Sequence, residues 1–588
     1  MIFLAAGVLT GPDYFIVAGY FALMLGIGVY FFRFMKGLKD YFSGGNRIPW
    51  WLSGVSFYMT SFSAYAFITY SALAYSYGWV GVTLLWVCGA ATLVSVTFFA
   101  RRWRRARIDS PVEYLETRYS PTVRQLFAWH GVPVRVFDDS LKLIAVGTFV
   151  SVGLGLPMRT SMILSGGIML AYTLMGGLWA VTVTDFVQFI VLTSAIVILL
   201  PLAIIRAGGP AAIVQHSPPG FFHLVSLQYN WVYICSNLVM ASLAFSALHW
   251  QLVQRYYCVP TERDAQKVGW LVVALYVIGP PMMFLPALAA RQFVSGLAKD
   301  TDIYPMLCAH LLAPGMLGLM IAAMFSSTMS ALSGDYNVCA NVLTTDVYRR
   351  LLRPAASQRE LVLAGRFMTV LVGALSIGLG LLMAGGGSEK LFRNMVKLFS
   401  MAAAPVAIPM LLGLTWRRAT NRGVLTGFAV GLTTGVTLLV SLPDQFTFLD
   451  LQWKKENMIV VCTVLATTLP IVAVSLMQRL SEADQKRIAA FHERLTMPIG
   501  SLPEDVPTAP TAREPVVSPF RVVGICILLI GLMLLAVTPW VAEGVQRTLS
   551  LALGGVLLLG GFLLKRQSPA LVRKEAAVEP AASVMLHK

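Results

Sequence analysis

Apolar stretches of nearly membrane-spanning length recur along almost the whole chain. A helix needs about 20 predominantly apolar residues to cross the hydrocarbon core of a bilayer. About fifteen stretches approach this length, here numbered as spans one to fifteen, near residues 13–34, 50–76, 78–100, 128–156, 159–175, 178–205, 229–256, 266–292, 304–346, 361–384, 390–414, 422–442, 456–477, 518–539 and 547–565. Because backbone polar groups must be satisfied internally within a bilayer, we predict an all-α membrane protein with about 15 transmembrane helices.

Charged residues are scarce and unevenly placed. They make up 12% of the chain, about half the share found in ordinary soluble domains. If the N-terminus lies outside, the inner loops carry 33 of the 45 lysine and arginine residues. This positive-inside bias predicts a plasma (inner) membrane protein with an outside N-terminus and a cytoplasmic C-terminus. The net charge of +17 is therefore a topology signal, and no nucleic-acid partner is expected. The basic block at 101–105 is predicted to lie on lipid headgroups.

Polar residues interrupt two of the spans. The second span contains the hydroxyl-rich run from Ser56 to Tyr65, and the seventh contains Ser236-Asn237 followed by a run from Ser242 to Gln251. Broken helices at corresponding positions of two halves are typical of inverted-repeat transporters. An odd repeat of five spans reverses its own topology. We therefore predict a five-plus-five core, in which spans two to six and seven to eleven form the two repeats.

The loops and linkers set the predicted domain boundaries. An amphipathic helix at 479–494 is followed by a stretch rich in Pro, Glu and Thr that cannot bury a core. The predicted segments are an N-terminal helix and cytoplasmic loop (1–48), a first repeat (49–205), an outside loop (206–228), a second repeat (229–414), peripheral helices (415–477), a cytoplasmic linker (478–517), two further peripheral helices (518–565) and a cytoplasmic tail (566–588).

A run of small and hydroxylic residues lies in the ninth span. Residues 322–330 read Ala-Ala-Met-Phe-Ser-Ser-Thr-Met-Ser. In hydrocarbon, a hydroxyl group is useful when it meets a carbonyl, another helix or an ion. The run favours a lining for something small and polar, and hence transport. The alternative is that small residues serve close helix packing.

Several short motifs resemble those of the sodium:solute symporter family. Residues 176–188, Gly-Gly-Leu-Trp-Ala-Val-Thr-Val-Thr-Asp-Phe-Val-Gln, are similar to its signature. Supporting pieces occur in the family's order, at 40–47, 254–255, 326–330, 346–348 and 405–418. The resemblance covers about residues 13–478. It implies a ten-helix inverted-repeat core and sodium-coupled import of a small polar organic solute, such as a sugar, a sugar acid or an organic acid.

The resemblance also implies a sodium site at the break in the second span. The family's alignment places the backbone carbonyls of Met59 and Phe62 opposite Ala323, Ser326 and Ser327. The chemistry is consistent, because an unwound helix frees carbonyl groups that can coordinate sodium. Sodium is thus the expected coupling ion and the only expected metal.

Asp185 in the sixth span is an intramembrane carboxylate. Such a group costs at least about 2.5 kcal/mol near the bilayer centre, so a function or a partner is expected. In some members of the family this aspartate and hydroxyls of the ninth span form a second sodium site. The candidates for it here are Asp185, Ser326 and Ser330, although Met329 stands where a further hydroxyl would help. The alternative is that Asp185 pairs with an arginine or lysine.

Substrate-site candidates lie in spans four, seven and eleven. Alignment to the family places Asp138, His249 and Lys397 near sugar-contacting positions, and Asp138 and Lys142 have the helical spacing of an ion pair. Three polar positions that hold galactose in the family carry Ala66, Leu85 and Tyr276. This replacement disfavours a simple hexose. An anionic sugar or organic acid bound by Lys397 and His249 is one hypothesis, and a neutral sugar or polyol is the other.

Further charges accompany these candidates. Arg135 and Asp139 lie in the fourth span, where pairing is expected because a bare ion is costly. Asp335 and Asn337 follow the hydroxylic run. They either line a cytoplasmic exit or lie at the end of the helix.

Other classes of function remain open alternatives. A transporter-like sensor would signal through a docked partner, since the tail after residue 564 is too short for a kinase. Proton-coupled symport would use Asp185 or Asp138. A membrane-embedded enzyme is disfavoured because the chain carries no HExxH, GxSxG or paired-cysteine motif, so no organic cofactor is expected. The expected partners are the solute and membrane lipid, and the sequence does not predict an oligomeric state.

Overall fold

The computed structural model describes residues 9–32, 38–154, 156–297, 300–384, 388–448, 451–505, 519–542 and 544–584. The helices are α1 (Gly11–Phe32), α2 (Leu38–Ser43), α3 (Trp50–Thr60), α4 (Ala64–Tyr77), α5 (Val80–Phe98), α6 (Ala100–Arg105), α7 (Tyr114–Arg118), α8 (Pro121–Leu154), α9 (Met158–Arg206), α10 (Pro210–Gln215), α11 (Trp231–Leu243), α12 (Trp250–Tyr257), α13 (Glu262–Ala290), α14 (Ile303–Leu311), α15 (Met316–Val342), α16 (Gln358–Met383), α17 (Ser388–Thr415), α18 (Asn421–Ser441), α19 (Lys455–Met477), α20 (Glu482–Thr496), α21 (Pro519–Val537) and α22 (Val545–Val584). Strands β1 (Gln445–Phe448) and β2 (Leu451–Lys454) pair antiparallel.

Twelve helices in the described part of the chain are long and apolar enough to cross a membrane. They correspond to every predicted span except the second, fourth and fifth, where the structure has α3 with α4, α8, and the first arm of α9. The prediction of an all-α membrane protein is confirmed. The last helix, α22, continues into the predicted tail, and the linker residues 506–517 lie outside the described residues.

Both predicted interruptions are present. Residues 61–63 separate α3 from α4. In the seventh span, α11 passes into a π-helical turn at Ala244–Leu248, and His249 (φ −81°, ψ 89°) then leaves helical geometry before α12 begins. The amide of His249 donates to the carbonyl of Ala244 at 2.8 Å and so closes the π turn. The second and seventh spans are therefore both interrupted helices, and they lie five spans apart in the sequence.

A glycine separates the two arms of α9. Gly177 has φ 54° and ψ −154°, and the spans predicted near 159–175 and 178–205 lie on either side of it. A Cβ atom at this position would lie 2.5 Å from the carbonyl oxygen of Tyr41. The glycine thus provides both the left-handed backbone and the close approach of the α2 region. This kink starts the sequence motif at 176–188.

Helix α15 is the central helix of the bundle. Every residue from Met316 to Val342 is buried, and the helix packs against α9, α1, α8, α16 and α3. Its N-terminus is fixed by the buried Asp13, whose Oδ1 accepts hydrogen bonds from the amides of Gly315 and Gly318, both at 2.7 Å. A carboxylate at a helix N-terminus satisfies free amides and suits the helix dipole. The ninth span therefore begins at Met316, and the predicted start at 304 belongs to the separate helix α14.

Helix α20 docks onto the segment between α5 and α8. Helix α20 confirms the predicted amphipathic helix, and its buried face carries Phe491, whose ring stacks on Tyr114 of α7 at 6.0 Å. The segment after α20 is held by Arg107, which pairs with Asp505 at 2.7 Å (Nε to Oδ1) and donates to the carbonyl of Pro498 at 2.9 Å. The first part of the predicted linker is therefore docked.

Two residues of the basic block at 101–105, Arg104 and Arg105, contact other parts of the protein. The prediction that the block lies on lipid headgroups is wrong for these two residues. Arg104 is buried and donates to the carbonyls of Val259 and Pro260 at 2.7 and 2.9 Å. Arg105 pairs with Glu262 at 3.0 Å. The block follows α5 directly and meets the free carbonyls after α12, which are unsatisfied acceptors at a helix end.

Acidification is expected to release the segment that Asp505 holds. Burial opposes ionisation of this carboxylate, but hydrogen bonds from Arg107 and from the amides of Gly500 and Leu502 outweigh burial and lower its pKa to about 2. The unfolded value is about 3.9. The ionised group therefore stabilises docking fully above about pH 4, and this stabilisation is lost as the pH falls towards 2.

Hydrogen exchange at the amides of residues 497–505, corrected for intrinsic rates, measures this release. Asp505→Asn at pH 7 is expected to exchange as fast as the wild type does at low pH. Asp484→Asn removes the same charge at the start of α20, where its partner is Arg487, and serves as the matched control. Unchanged protection in Asp505→Asn would contradict the prediction.

Candidate functional site

The hydroxylic run of α15 faces the break between α3 and α4. The amide of Ala64, the first residue of α4, donates to Oγ1 of Thr328 at 3.1 Å. The hydroxyls of Thr60, at the end of α3, and Ser330 are 3.3 Å apart. Two contacts from opposite sides of the break thus reach the same stretch of α15.

The five predicted sodium ligands lie on these two facing elements. Met59 and Phe62 are buried at the break, and Ala323, Ser326 and Ser327 are buried on α15. The hydroxyl of Ser326 donates to the carbonyl of Ala322 at 2.8 Å, and that of Ser327 donates to Met324 at 2.9 Å. Each serine oxygen keeps acceptor capacity after donating its proton. The carbonyl of Met59 lies in the last turn of α3, where carbonyls lack intrahelical partners. Neutral carbonyl and hydroxyl oxygens are the kind of ligand that a hard cation prefers.

Asp185 is paired with an arginine that the sequence did not single out as its partner. Its Oδ2 accepts a hydrogen bond from Ser56 and lies 3.5 Å from Nη2 of Arg255. Nε of Arg255 donates to the same serine at 2.7 Å, and both charged side chains are fully buried. The structure thus matches the pairing alternative.

Ser330, a predicted member of the second sodium site, lies beside the Asp185 carboxylate and hydrogen-bonds to it. Its hydroxyl also contacts that of Thr60. Met329, which replaces the expected hydroxyl, accepts at Sδ from the hydroxyl of Tyr20 of α1 at 3.3 Å. Gln188, one turn after Asp185, donates to that tyrosine, also at 3.3 Å. Helix α1 therefore fills the space beside Met329.

A buried charge cluster joins α8 to α15. The ion pair predicted from helical spacing is present, with Nζ of Lys142 at 2.8 Å from Oδ2 of Asp138. The same ammonium lies 3.2 Å from Asp139 and 2.6 Å from Asp335. Asp335 thus lies in the middle of a buried helix rather than at its end. Nη1 of Arg135 lies 3.7 Å from Asp335.

The break in the seventh span contacts this cluster. Nδ1 of His249 lies 2.9 Å from Nη1 of Arg135. Because a guanidinium has no acceptor, Nδ1 must accept this bond and the imidazole is neutral. His249 is only partly buried. The predicted candidates Asp138, Lys142 and His249 are therefore brought into one network through Arg135 and Asp335.

Lys397 does not join that network in the described structure. Its ammonium pairs with Asp444, a largely exposed residue that precedes β1, at 2.8 Å. Phe399, two residues further along α17, contacts the ring of His249 at 5.6 Å instead. Two residues rotate a helix by about 200°, so these side chains leave α17 on opposite faces. The eleventh span thus contributes an aromatic ring where the sequence analysis expected a cation.

Contacts between aromatic rings connect the two breaks. Phe245 of the π-helical turn contacts His249 and Tyr276, each at 6.2 Å between ring centroids. The hydroxyl of Tyr276 lies 2.6 Å from that of Ser61 in the first break. Apolar and aromatic walls with a few placed polar groups are typical of small-molecule sites.

The sequence matches the model of the sodium:solute symporter family over residues 41–431. The chain belongs to this family. It is 25% identical over 514 residues to a sodium/glucose cotransporter of Vibrio parahaemolyticus, covering 81% of this chain and 92% of that protein. It is also 25% identical over 450 residues to the sodium/sialic acid symporter NanT of Aliivibrio fischeri, covering 72% and 86%.

A solved structure has a fold similar to that of this chain. A Na⁺-coupled sialic acid symporter in its substrate-bound outward-open state matches with a TM-score of 0.71 and 21% identity, covering 80% of this chain and 99% of that one. The resemblance inferred from the short motifs is confirmed. The protein is a multi-pass membrane protein of a transporter family.

Three residues that contact the candidate site in this structure were not predicted from the sequence to be site residues. Arg255 was noted as part of a motif, Asp335 as an exit or helix-end residue, and Phe399 not at all. Arg255 and Asp335 could have been recognised as residues that require a partner, because an unpaired charge within a membrane is costly. That cost predicts that a partner exists but not which one, because the partners lie on other helices.

Proposed function

We propose that the protein is a sodium-coupled secondary active symporter that imports a small polar organic solute by alternating access. The observation that carries this proposal is the contact between the hydroxylic run of α15 and the broken second span, through Ala64 and Thr328. Membership of the sodium:solute symporter family supports it, as do relatives described as sodium/glucose and sodium/sialic acid symporters. We further propose a plasma-membrane location with the N-terminus outside and the C-terminus in the cytoplasm.

The proposed coupling ion is sodium, bound by the backbone carbonyls of Met59, Phe62 and Ala323 and by the hydroxyls of Ser326 and Ser327. All five ligands are neutral oxygens, so the ion adds one positive charge at the junction of two elements. Binding there ties the first break to α15 and favours the arrangement that completes the solute pocket. Because the coupling is reciprocal, sodium raises solute affinity by the same factor by which solute raises sodium affinity.

One sodium ion per cycle is the proposed stoichiometry. A second ion at Asp185, Ser326 and Ser330 would meet the guanidinium of Arg255, which already lies 3.5 Å from the Asp185 carboxylate. The guanidinium already supplies, beside this buried carboxylate, the positive charge that a second sodium ion would bring. The buried pair therefore takes the electrostatic role of a second ion.

The proposed solute site lies between the two breaks, beside His249, Tyr276 and Phe399. A sugar or sugar acid suits this mixture of rings and hydrogen-bonding groups. For an acidic solute, Arg135 is the proposed contact, because its Nη2 is buried and has no hydrogen-bond partner among the described residues. Asp138 and Lys142 are proposed to act through the charge cluster, and Lys397 is not part of the site.

Uptake by proteoliposomes under an inward sodium gradient tests the proposal. A thermal-shift screen over sugars, sugar acids, carboxylates and amino acids, with and without sodium, selects the solutes. We expect at least one solute whose binding is strengthened by sodium and whose uptake follows the sodium gradient. An imposed proton gradient serves as the control for proton coupling. Ligands that bind but show no sodium-dependent flux would overturn the symporter and favour a sensor.

A further inference from the structure

The ammonium of Lys142 is held by three carboxylates in the manner of a bound ion. Its distances to the carboxylate oxygens of Asp138, Asp139 and Asp335 are 2.8, 3.2 and 2.6 Å. One oxygen from each carboxylate lies within 4.8 Å of the other two. Oxygens bound to one Ca²⁺ at about 2.3–2.6 Å can be about 5 Å apart across the ion. The three carboxylates thus have the spacing of a cation site, and a lysine side chain occupies its centre.

The side chain of Gln251, whose amide oxygen is a neutral potential metal ligand, lies next to the carboxylates. Gln251 of α12 is 2% exposed, and its Nε2 donates to Oδ2 of Asp335 at 3.3 Å. Its carboxamide oxygen has no hydrogen-bond partner in the described part of the chain, and neither has Oδ2 of Asp139. Carboxylate and amide oxygens are the ligands that hard cations such as Ca²⁺ prefer. The site therefore offers more acceptors than Lys142 uses.

Lys142 supplies one of the two positive charges beside the three carboxylates. Three carboxylates face two cations, Lys142 and Arg135, and His249 is neutral because its Nδ1 accepts from Arg135. Removal of the lysine charge leaves Arg135 as the one cation that faces the three carboxylates in the described part of the chain. Buried uncompensated charge is strongly destabilising. The demand for a cation is therefore large once the ammonium is gone.

We infer that Lys142 is a tethered counter-ion that fills a cation site between α8 and α15, and that it determines whether an inorganic cation binds there. In the native protein the site is satisfied by the side chain. Loss of the ammonium opens it to a hard cation. This site is separate from the proposed sodium site, because its ligands come from α8 and from Asp335, whereas the sodium ligands come from the first break and residues 323–327. The inference does not depend on the symport activity.

Binding of Mn²⁺ to the full-length protein tests this inference, because Mn²⁺ prefers oxygen ligands and is visible by electron paramagnetic resonance. We expect Lys142→Ala to bind one Mn²⁺ at least tenfold more tightly than the wild type, and to gain thermal stability from Mn²⁺ or Ca²⁺. Lys142→Arg keeps the cation and is expected to behave as the wild type. Lys142→Ala combined with Asp335→Asn removes a ligand and is expected to lose the gain.

Melting temperatures measured in detergent extracts keep the test decisive for poorly folding variants. Lys142→Met, which preserves the length of the side chain, is measured beside Lys142→Ala with and without Mn²⁺. If neither variant gains affinity or stability from Mn²⁺, the inference is wrong. It is also wrong if the wild type binds Mn²⁺ as tightly as Lys142→Ala does. Failure of sodium-driven uptake in the wild type would instead overturn the proposed function and leave the Mn²⁺ result unaffected.

Discussion

Replacing Ser326 or Ser327 by alanine is expected to weaken sodium-dependent uptake while leaving the protein folded. Each hydroxyl donates to a carbonyl of its own helix, Ala322 and Met324 respectively. Those carbonyls lie in the interior of α15 and keep their backbone partners. Removal of the hydroxyl therefore leaves no buried group unpaired, which is the usual source of a large loss of stability. What disappears is a ligand for the ion.

The expected size of this effect is about tenfold in the sodium concentration for half-maximal uptake, or about 1.4 kcal/mol for each serine. The double variant is expected to lose about 100-fold. Solute uptake at saturating sodium and thermal unfolding with and without sodium separate ion affinity from folding. The sodium-induced rise in melting temperature should shrink, whereas the sodium-free melting temperature should stay near that of the wild type.

Ser333→Ala is the matched control for this experiment. Ser333 is buried on the same helix, and its hydroxyl donates to the carbonyl of Ser330 at 3.1 Å. The same atoms are removed, but from a position outside the proposed ligand set. If Ser333→Ala raised the sodium requirement as much as Ser326→Ala, the assignment of ligands would fail.

The spans and their interruptions were predictable because their signals are local. Hydropathy over about 20 residues decides whether a segment can cross a bilayer. Polar residues within such a segment mark where the helix is broken, as at residues 61–63 and at His249. The amphipathic pattern of α20 is local in the same way. Its docking on Arg107 is not, because that contact depends on a loop nearly 400 residues earlier.

The candidate site was predictable in its positions and less so in its pairings. The sequence located Asp185, Asp138, Lys142 and His249 as costly polar groups in apolar spans, and each has a buried partner. The partners Arg255 and Asp335 come from other helices, so only three-dimensional packing identifies them. Lys397 shows the opposite error. Alignment to the family placed Lys397 on the correct helix. The face of the helix on which the side chain lies was wrong, because a shift of one residue in the alignment rotates that face by about 100°.

Replacing Arg255 by alanine is expected to have the largest effect on folding. It leaves the fully buried carboxylate of Asp185 without its cation, and breaking a buried pair from one side costs about 3–5 kcal/mol. Ser56 and Gln254, which bond to the guanidinium at 2.7 and 2.8 Å, also lose a partner. We expect a melting temperature lowered by several degrees, a smaller yield of folded protein, and little transport per cell.

Arg291→Ala is the control, since this arginine is exposed and donates to the carbonyl of Tyr75; surface changes of this kind usually stay within about 0.5 kcal/mol. The double variant Arg255→Ala with Asp185→Ala removes both charges and should be less destabilised than the sum of the single variants, with a coupling of about 1–3 kcal/mol. A melting temperature of Arg255→Ala equal to that of the wild type would contradict the pairing.

The same variant distinguishes a structural ion pair from a second sodium site. If Arg255 provides the positive charge that Asp185 requires, its loss creates a demand for another cation beside Ser330. Sodium should then stabilise Arg255→Ala by more than it stabilises the wild type, and this extra stabilisation should vanish when Asp185 is also replaced. If Asp185 already binds sodium beside the arginine, Asp185→Asn alone should lower the sodium response of the wild type and Arg255→Ala should add no new one. The direction of the sodium response therefore decides between one coupling ion and two.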